Sequence, residues 1–185
     1  MLTVESIFEI SGEPRCGMCG DCCNRDPLGR TVGKYCKFLL GPFCGLRVAG
    51  REPPEECVEH ECGSREPNPR PLTEDDERVL EKIGNGVPIE EALSGHPGYE
   101  TAKMFEKIEE RLSQYVPGVP HGLKLRELLI RMGIPSSMLQ GLGPDELGEI
   151  TGRVDPDIGK MVREWREMHL KYRTHGYPVP VSASV

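Results

Sequence analysis

Apolar residues recur at every third or fourth position through most of the chain after residue 71, which is the period of amphipathic helices. Glycine and proline interrupt this period at intervals and mark the expected helix ends. The pattern predicts helices at 73–83, 88–94, 99–115, 123–132 and 155–173, with short helical turns within 135–142 and 144–150. We therefore expect a small helical domain in this part of the chain.

The first and last of these helices carry the most specific signals. Thr73 can act as an N-cap, and the acidic residues after it favour the positive end of the helix dipole. The last helix places these residues on one face: Ile158, Met161, Val162, Trp165, His169 and Tyr172. We expect His169 to pack beside Trp165. The basic residues of this helix are expected on its solvated side: Arg163, Arg166, Lys171 and Arg173.

The chain before residue 72 has a different pattern. Residues 1–12 alternate loosely and can form a short strand or helix, and residues 13–71 combine Gly, Pro and Cys without a sustained period. The predicted fold class is mainly α, with a loop-rich, metal-held cysteine module followed by the small helical domain. The predicted divisions are a cysteine module at 1–63, a Pro-rich linker at 64–71, the helical domain at 72–175 and an extended or disordered tail at 176–185.

Charge and hydropathy indicate which partners and which cellular compartment to expect for the protein. The net charge is −7 with a pI near 5.3, so the sequence has no basic footprint for nucleic acid. No apolar run approaches the roughly 20 residues of a membrane span. The first residues lack the basic and continuous apolar regions of a secretory signal. We therefore expect a cytoplasmic protein that binds neither nucleic acid nor a membrane.

Cysteine is the residue type that indicates chemistry. All 8 cysteines lie within residues 16–62, at Cys16, Cys19, Cys22, Cys23, Cys36, Cys44, Cys57 and Cys62. In a reducing cytoplasm, clustered cysteines are typical of metal ligands rather than disulfides. Thiolate is a soft ligand that suits zinc, copper(I) and iron–sulfur clusters. The sequence therefore predicts that all eight are metal ligands.

The spacing of the first four cysteines suggests more than one centre. Cys16, Cys19 and Cys22 follow one another at intervals of three, so a loop can turn all three sulfurs toward one centre. The side chains of Cys22 and Cys23 diverge because the two residues are adjacent, and one of them is expected at a second centre or outside both. Eight cysteines suffice for two four-thiolate sites, and the spacing does not fix how they are shared.

Known cysteine patterns leave the metal open. A bacterial ferredoxin has C-x2-C-x2-C-x3-C-P, which this chain lacks because Cys23 follows Cys22 directly. A zinc ribbon needs two separated C-x2-4-C pairs, and the Cys57/Cys62 pair is slightly too wide. An iron–sulfur cluster, with [4Fe–4S] as one form, is the leading interpretation. A structural zinc site is the alternative, and disulfides are the non-metal interpretation.

The motif Cys16-x2-Cys19-x2-Cys22-Cys23 resembles that of the CxxCxxCC cysteine-cluster family, the YkgJ-like proteins described as zinc- or iron-chelating. The segments 36–39, 41–46 and 51–57 resemble the later cysteine elements of that family, so the resemblance covers roughly residues 8–62. Only twelve residues separate Cys23 from Cys36, a shorter insert than the family usually carries, and Cys62 lies outside its common pattern. The resemblance implies metal chelation and no particular reaction.

These observations lead to a primary functional hypothesis and one alternative. The first is a cytoplasmic iron–sulfur protein that transfers electrons or assists the maturation of another metalloenzyme, with its helical region docking a protein partner. The alternative is a zinc-stabilised protein-interaction module without redox activity, which would unfold when a chelator removes the metal. The sequence contains no Ser/His/Asp set, phosphate-binding loop or paired acid motif, so it assigns no enzymatic reaction and leaves open whether the protein is an enzyme.

Overall fold

The computed structural model of the protein describes residues 27–28, 36–41, 43–54 and 72–173. This part of the chain is mainly helical, which confirms the predicted helical class. Its α-helices are α1 (Gly45–Val48), α2 (Glu74–Gly84), α3 (Ile89–Ala92), α4 (Pro97–Leu112), α5 (Lys124–Arg131), α6 (Pro144–Gly152) and α7 (Pro156–Met168). A 3-10 turn, Leu139–Gly141, precedes α6, and a π-helical turn, His169–Arg173, continues α7. None of the helices in the described ranges is long and apolar enough to cross a membrane.

The described residues fall into two compact units. The first unit contains residues 38–54 and 72–99, apart from position 42, and the second contains residues 27–28, 36–37 and 100–173. The predicted strand or helix at 1–12, the predicted linker at 64–71 and the predicted tail at 176–185 lie outside the described residues. The proposed division of the chain at that linker therefore stays a prediction.

A short β-hairpin opens the first unit. Strands β1 (Leu39–Leu40) and β2 (Phe43–Cys44) are antiparallel, with Leu39 opposite Cys44. The hairpin leads directly into α1, and both contribute to a buried apolar cluster with α2, α3 and the start of α4. The fully or almost fully buried members of this cluster include Leu40, Leu46, Val48, Val79, Leu80, Ile89, Ala92, Leu93 and Tyr99. Residues 39–40 and 43–48 thus have regular structure and contribute to an apolar core where the sequence predicted loops.

The N-terminus of α2 has the predicted Thr73 cap. The hydroxyl oxygen of Thr73 accepts a hydrogen bond from the backbone N–H of Asp76 at 3.2 Å, and the carboxylate of Asp76 accepts one from the backbone N–H of Thr73 at 2.8 Å. This reciprocal arrangement is a capping box, which satisfies backbone donors that the helix cannot satisfy itself.

The core of the second unit surrounds Trp165. This side chain is fully buried and contacts two other rings, with centroid distances of 5.1 Å to Phe105 and 5.4 Å to His169. The His169 contact confirms the predicted packing of that residue beside Trp165. Other buried members of the core are Leu28, Ile108, Leu112, Val116, Leu125, Leu128, Leu129, Leu139, Leu142, Leu147, Ile158 and Val162.

Arg166 corrects the prediction that the basic residues of the last helix are solvated. Its exposed fraction is 1%, because the guanidinium turns inward and donates to two backbone carbonyls. Nε donates to the carbonyl of Leu142 at 3.2 Å, and Nη2 donates to that of Gln140 at 2.6 Å. Arg166 thereby satisfies carbonyl groups of the 3-10 turn and the residue after it, and ties that segment to α7.

Helices α6 and α7 approach each other at three glycines. A Cβ atom at Gly159 would lie 2.5 Å from the carbonyl oxygen of Gly148 and 2.6 Å from the Cα of Gly152. The spacing of Gly148 and Gly152 puts both on the same face of α6, one turn apart. The two backbones are therefore in direct contact, and there is no room for a side chain at Gly159.

Glu109, on α4, caps α5 from outside that helix. The side chain is fully buried and accepts three backbone hydrogen bonds, from Gly122 at 2.7 Å, Lys124 at 3.1 Å and Leu125 at 2.9 Å. Residue Leu123, at the cap position of α5, makes no side-chain capping hydrogen bond. A carboxylate near a helix N-terminus is favoured by both the free N–H groups and the helix dipole.

Candidate functional site

The structure describes two of the eight predicted metal ligands. Cys36 and Cys44 are both half-buried, Cys36 in the second unit and Cys44 in the first. The other predicted ligands lie outside the described residues: Cys16, Cys19, Cys22, Cys23, Cys57 and Cys62. How the eight thiols are shared between centres therefore stays a prediction.

Cys44 lies at the end of β2 and directly before α1. Its side chain packs against the apolar cluster of the first unit. The next residue, Gly45, donates its backbone N–H to the carbonyl of Phe38 at 2.7 Å, and a Cβ at Gly45 would lie 3.0 Å from that oxygen. The backbone at Cys44 and Gly45 is thus held closely against residues 38 and 39 of the hairpin.

The setting of Cys44 suits a metal-bound thiolate. Cys44 is half-buried as a residue, and the apolar cluster beside it would limit the access of water to a metal bound there, which tunes such a metal. Within the described ranges, no group of three or more His, Cys, Asp or Glu side chains is arranged to hold a metal ion. The other ligands of a centre that includes Cys44 are therefore expected at 16–23 and 57–62, which lie outside the described residues.

A buried carboxylate connects the hairpin to the helices of the first unit. Asp76 has an exposed fraction of 3%. Its Oδ2 accepts from the backbone N–H of Thr73 at 2.8 Å and from the hydroxyl of Thr73 at 2.7 Å. Its Oδ1 lies 3.1 Å from the backbone N of Gly41, in the hairpin turn, and 3.1 Å from Nε2 of His96. One side chain thus joins the start of α2, the turn of the hairpin and the segment before α4.

Backbone contacts fix the ring orientation of His96. The backbone N–H of Tyr99 donates to Nδ1 of His96 at 3.4 Å, so Nδ1 acts as an acceptor. Nε2 then carries the proton and donates to Asp76. No role was predicted for His96, because 20 residues separate it from Asp76 and no periodic pattern relates the two. The capping-box spacing of Thr73 and Asp76 is the only part of this network with a sequence signal.

A recess in the second unit contains no catalytic arrangement among its described lining residues. It has a volume of about 420 Å³ and is lined by Lys103, Glu106, Lys107, Glu110, Ser113, His121 and Lys124. Lys124 donates to the hydroxyl of Ser113 at 2.7 Å, and that hydroxyl lies 3.2 Å from the carbonyl of Glu109, to which it donates. The proton of Ser113 is therefore directed at a carbonyl rather than at a base. Because acidic and basic side chains alternate around the recess, it also lacks the single-sign field that would concentrate a charged ligand.

No protein-family model, curated protein or solved structure matches this chain. The resemblance of residues 8–62 to the CxxCxxCC family consequently stays a prediction from the motif.

The hydrogen bonds around Asp76 predict how the stability of the protein changes at acid pH. Burial raises the pKa of Asp76, but the hydrogen bonds from His96 and Thr73 outweigh burial and hold that pKa below its usual value. The stability that ionised Asp76 contributes is therefore complete above the pKa it has in the unfolded chain. This contribution is lost as the pH falls through the lower pKa of the folded protein.

The measurement is a carboxyl NMR titration of Asp76, assigned with an Asp76→Asn variant, together with the free energy of unfolding as a function of pH. In a His96→Ala variant we expect the pKa of Asp76 to rise, because one of the hydrogen bonds that lower it is gone. An Asp76 pKa at or above the unfolded value in the wild-type protein would contradict the prediction.

Proposed function

We propose that this protein chelates a metal centre through its clustered cysteines, that the centre is an iron–sulfur cluster, and that the protein transfers electrons or assists the maturation of a partner metalloenzyme. The single observation that carries the proposal is the concentration of all 8 cysteines within residues 16–62. Eight thiolates are more than the four that one zinc ion needs. A cluster supplies one-electron chemistry when it is bound, and the cysteines of this chain would hold it.

The structure around Cys44 agrees with this proposal in one respect. A ligand thiol must be both held in place and open to the metal, and Cys44 is half-buried beside an apolar cluster. In the proposal the helical region docks the protein partner. Large apolar side chains that are exposed in its described part are Leu123, Met138 and Leu170. These side chains are available for contact with such a partner.

The test is purification without oxygen, followed by analysis for iron, acid-labile sulfide and zinc. We expect stoichiometric iron and sulfide, visible absorption from sulfur-to-iron charge transfer, and loss of both after treatment with a strong chelator. A colourless protein with stoichiometric zinc and no sulfide would replace the iron–sulfur proposal with the zinc-stabilised interaction module. A protein that binds neither metal would contradict chelation altogether.

Single substitutions make the same experiment specific for cysteine. Cys44→Ser and Cys19→Ser are expected to lower the metal content or its resistance to chelator, because an alcohol is a much poorer ligand for a soft metal. His60→Ala is the matched control, since His60 lies between Cys57 and Cys62 and thiolates alone suffice in the proposal. We expect this control to keep its metal, and an equal loss in all three variants would show that the ligand set is wrong.

A further inference from the structure

The hairpin that carries Cys44 is too small to hold its own geometry. Its two strands have 2 residues each, and a two-stranded hairpin in isolation is at best marginally stable in water. Its position must therefore come from contacts with the rest of the first unit. Burial of Leu40, which is fully inaccessible, provides one of these contacts. Apolar contact is not directional, however, and leaves the turn of the hairpin free to adjust.

The turn of the hairpin makes one directional contact with the start of α2 and also packs closely against the side chain of Leu72. The backbone N–H of Gly41 donates to the carboxylate of Asp76 at 3.1 Å in a buried environment. Gly41 also has a φ of +53°, and a Cβ there would lie 2.8 Å from Cδ2 of Leu72. The turn is thus pressed against Leu72 and held by Asp76. Cys44 is three residues further along the chain, within about 10 Å of extended backbone.

We propose that Asp76 is a positioning residue for Cys44: by holding the Gly41 turn, it keeps the thiol in the place where the metal centre needs it before any metal is bound. The inference depends on the proposed metal chelation and extends it to a residue outside the cysteine cluster. His96 supports the same carboxylate oxygen from the segment before α4, and Thr73 holds the other oxygen. The start of α2 and the segment before α4 therefore determine the position of the Asp76 carboxylate, which accepts the hydrogen bond from Gly41.

The chemistry of the carboxylate makes this role specific. Asp76 accepts four hydrogen bonds, two on each oxygen. An asparagine has the same shape but can accept at one oxygen only, and its NH2 group must then face either the N–H of Thr73 or the N–H of Gly41. Asp76→Asn is therefore expected to release part of the network without creating a cavity. Asp76→Ala removes all four bonds.

The experiment measures the reactivity of Cys44 in the reduced, metal-free full-length protein. The rate of alkylation is determined by peptide mass spectrometry, with Cys36 as an internal reference because it lies in the other unit. We expect Asp76→Ala to raise the alkylation rate of Cys44 about tenfold relative to Cys36, the change that corresponds to the loss of one buried hydrogen bond to a charged group. Global unfolding would instead raise both rates.

Two matched variants separate positioning from general destabilisation. Glu77→Gly lowers the helix propensity of α2 at an exposed position and leaves the hydrogen bonds of Asp76 in place, so it weakens the same helix without releasing the hairpin. Asp75→Asn removes the same charge one residue earlier, at a half-buried position that pairs with Arg78. We expect both to leave the ratio of Cys44 to Cys36 reactivity unchanged. If Asp76→Ala loses its helical circular dichroism, Asp76→Asn is the variant that decides.

Metal retention is the second readout. If the wild-type protein holds metal, the Asp76→Ala and Asp76→Asn variants are expected to start with the same metal stoichiometry. The rate at which they lose the metal to a competing chelator is expected to be about tenfold higher. Glu77→Gly should retain it. If Cys44 reactivity and metal retention in the Asp76 variants match those of Glu77→Gly, the positioning role is overturned while chelation stands. If the wild-type protein binds no metal, chelation fails, and the reactivity ratio alone still decides whether Asp76 positions Cys44.

Discussion

Glu109→Ala is expected to lower the free energy of unfolding of the second unit by about 3–5 kcal/mol. The substitution deletes the acceptor for three backbone N–H groups around the start of α5, at least one of them buried. Each hydrogen bond to a charged acceptor contributes about 1.5–3 kcal/mol, and a buried donor without a partner adds its own desolvation cost. The contributions are not additive, because the three donors share one carboxylate.

The measurement is urea unfolding followed by the fluorescence of Trp165, the only tryptophan of the chain and a member of the same core. Glu109→Gln keeps the shape of the side chain but can accept on one oxygen only, so we expect an intermediate loss. Glu110→Ala is the matched control. It lies next in sequence on the exposed side of α4, and its effect should be within about 0.5 kcal/mol. Equal stability of Glu109→Ala and Glu110→Ala would mean that the cap contributes nothing.

Gly159→Ala is expected to destabilise the second unit by about 3 kcal/mol, the upper part of the range for overpacked cores. The new methyl group would have to occupy a position 2.5 Å from the carbonyl oxygen of Gly148 and 2.8 Å from the backbone N of Gly152. These are backbone atoms and cannot rotate away, so α6 and α7 must separate. The higher helix propensity of alanine offsets about 1 kcal/mol at most.

Gly152→Ala tests whether the cost comes from contact rather than from the loss of a glycine. A Cβ at Gly152 would meet only the Cα of Gly159, at an ordinary 3.8 Å. We expect this variant to be as stable as the wild-type protein or slightly more stable. The same unfolding experiment compares the two variants, and the interpretation of the helix contact fails if Gly159→Ala is as well tolerated as Gly152→Ala.

Local signals in the sequence predicted the helices of residues 72–173 and some of their contacts. Thr73 is followed three residues later by Asp76, which is the spacing of a capping box, and His169 follows Trp165 by four residues, which places the two on one face. Both relations are set by the geometry of a single helix. For this reason, they can be read without knowledge of the tertiary structure.

Arg166 and Glu109 show where such local signals end. An arginine on a polar-looking face is normally solvated, but the carbonyls that Arg166 binds belong to residues 24 and 26 positions earlier. The amides that Glu109 binds lie 13 to 16 residues further along. Both side chains are buried because of partners that only the packing of separate helices brings near. Periodicity along one helix contains no information about those partners.

The same limit applies to the candidate site. The cysteine spacing predicts chelation, and the glycines and prolines around it predicted loops. The hairpin and α1 form instead because Leu40, Leu46 and Val48 are buried against apolar side chains of residues 79–93, in and beside α2 and α3. The link between Asp76 and His96 had no signal at all. The metal chemistry of the site thus stays a prediction from residue types, and the support around Cys44 could not be predicted at all.

The hydrogen bond between Asp76 and Gly41 also affects the order of events during synthesis of the chain. A chain is synthesised from its N-terminus, and the acceptor for the Gly41 amide is made 35 residues after Gly41 itself. His96, which holds the same oxygen, follows 20 residues after that. Cys44 is therefore synthesised before the groups that fix its position. The hairpin stays unanchored until the helices of the first unit have been completed.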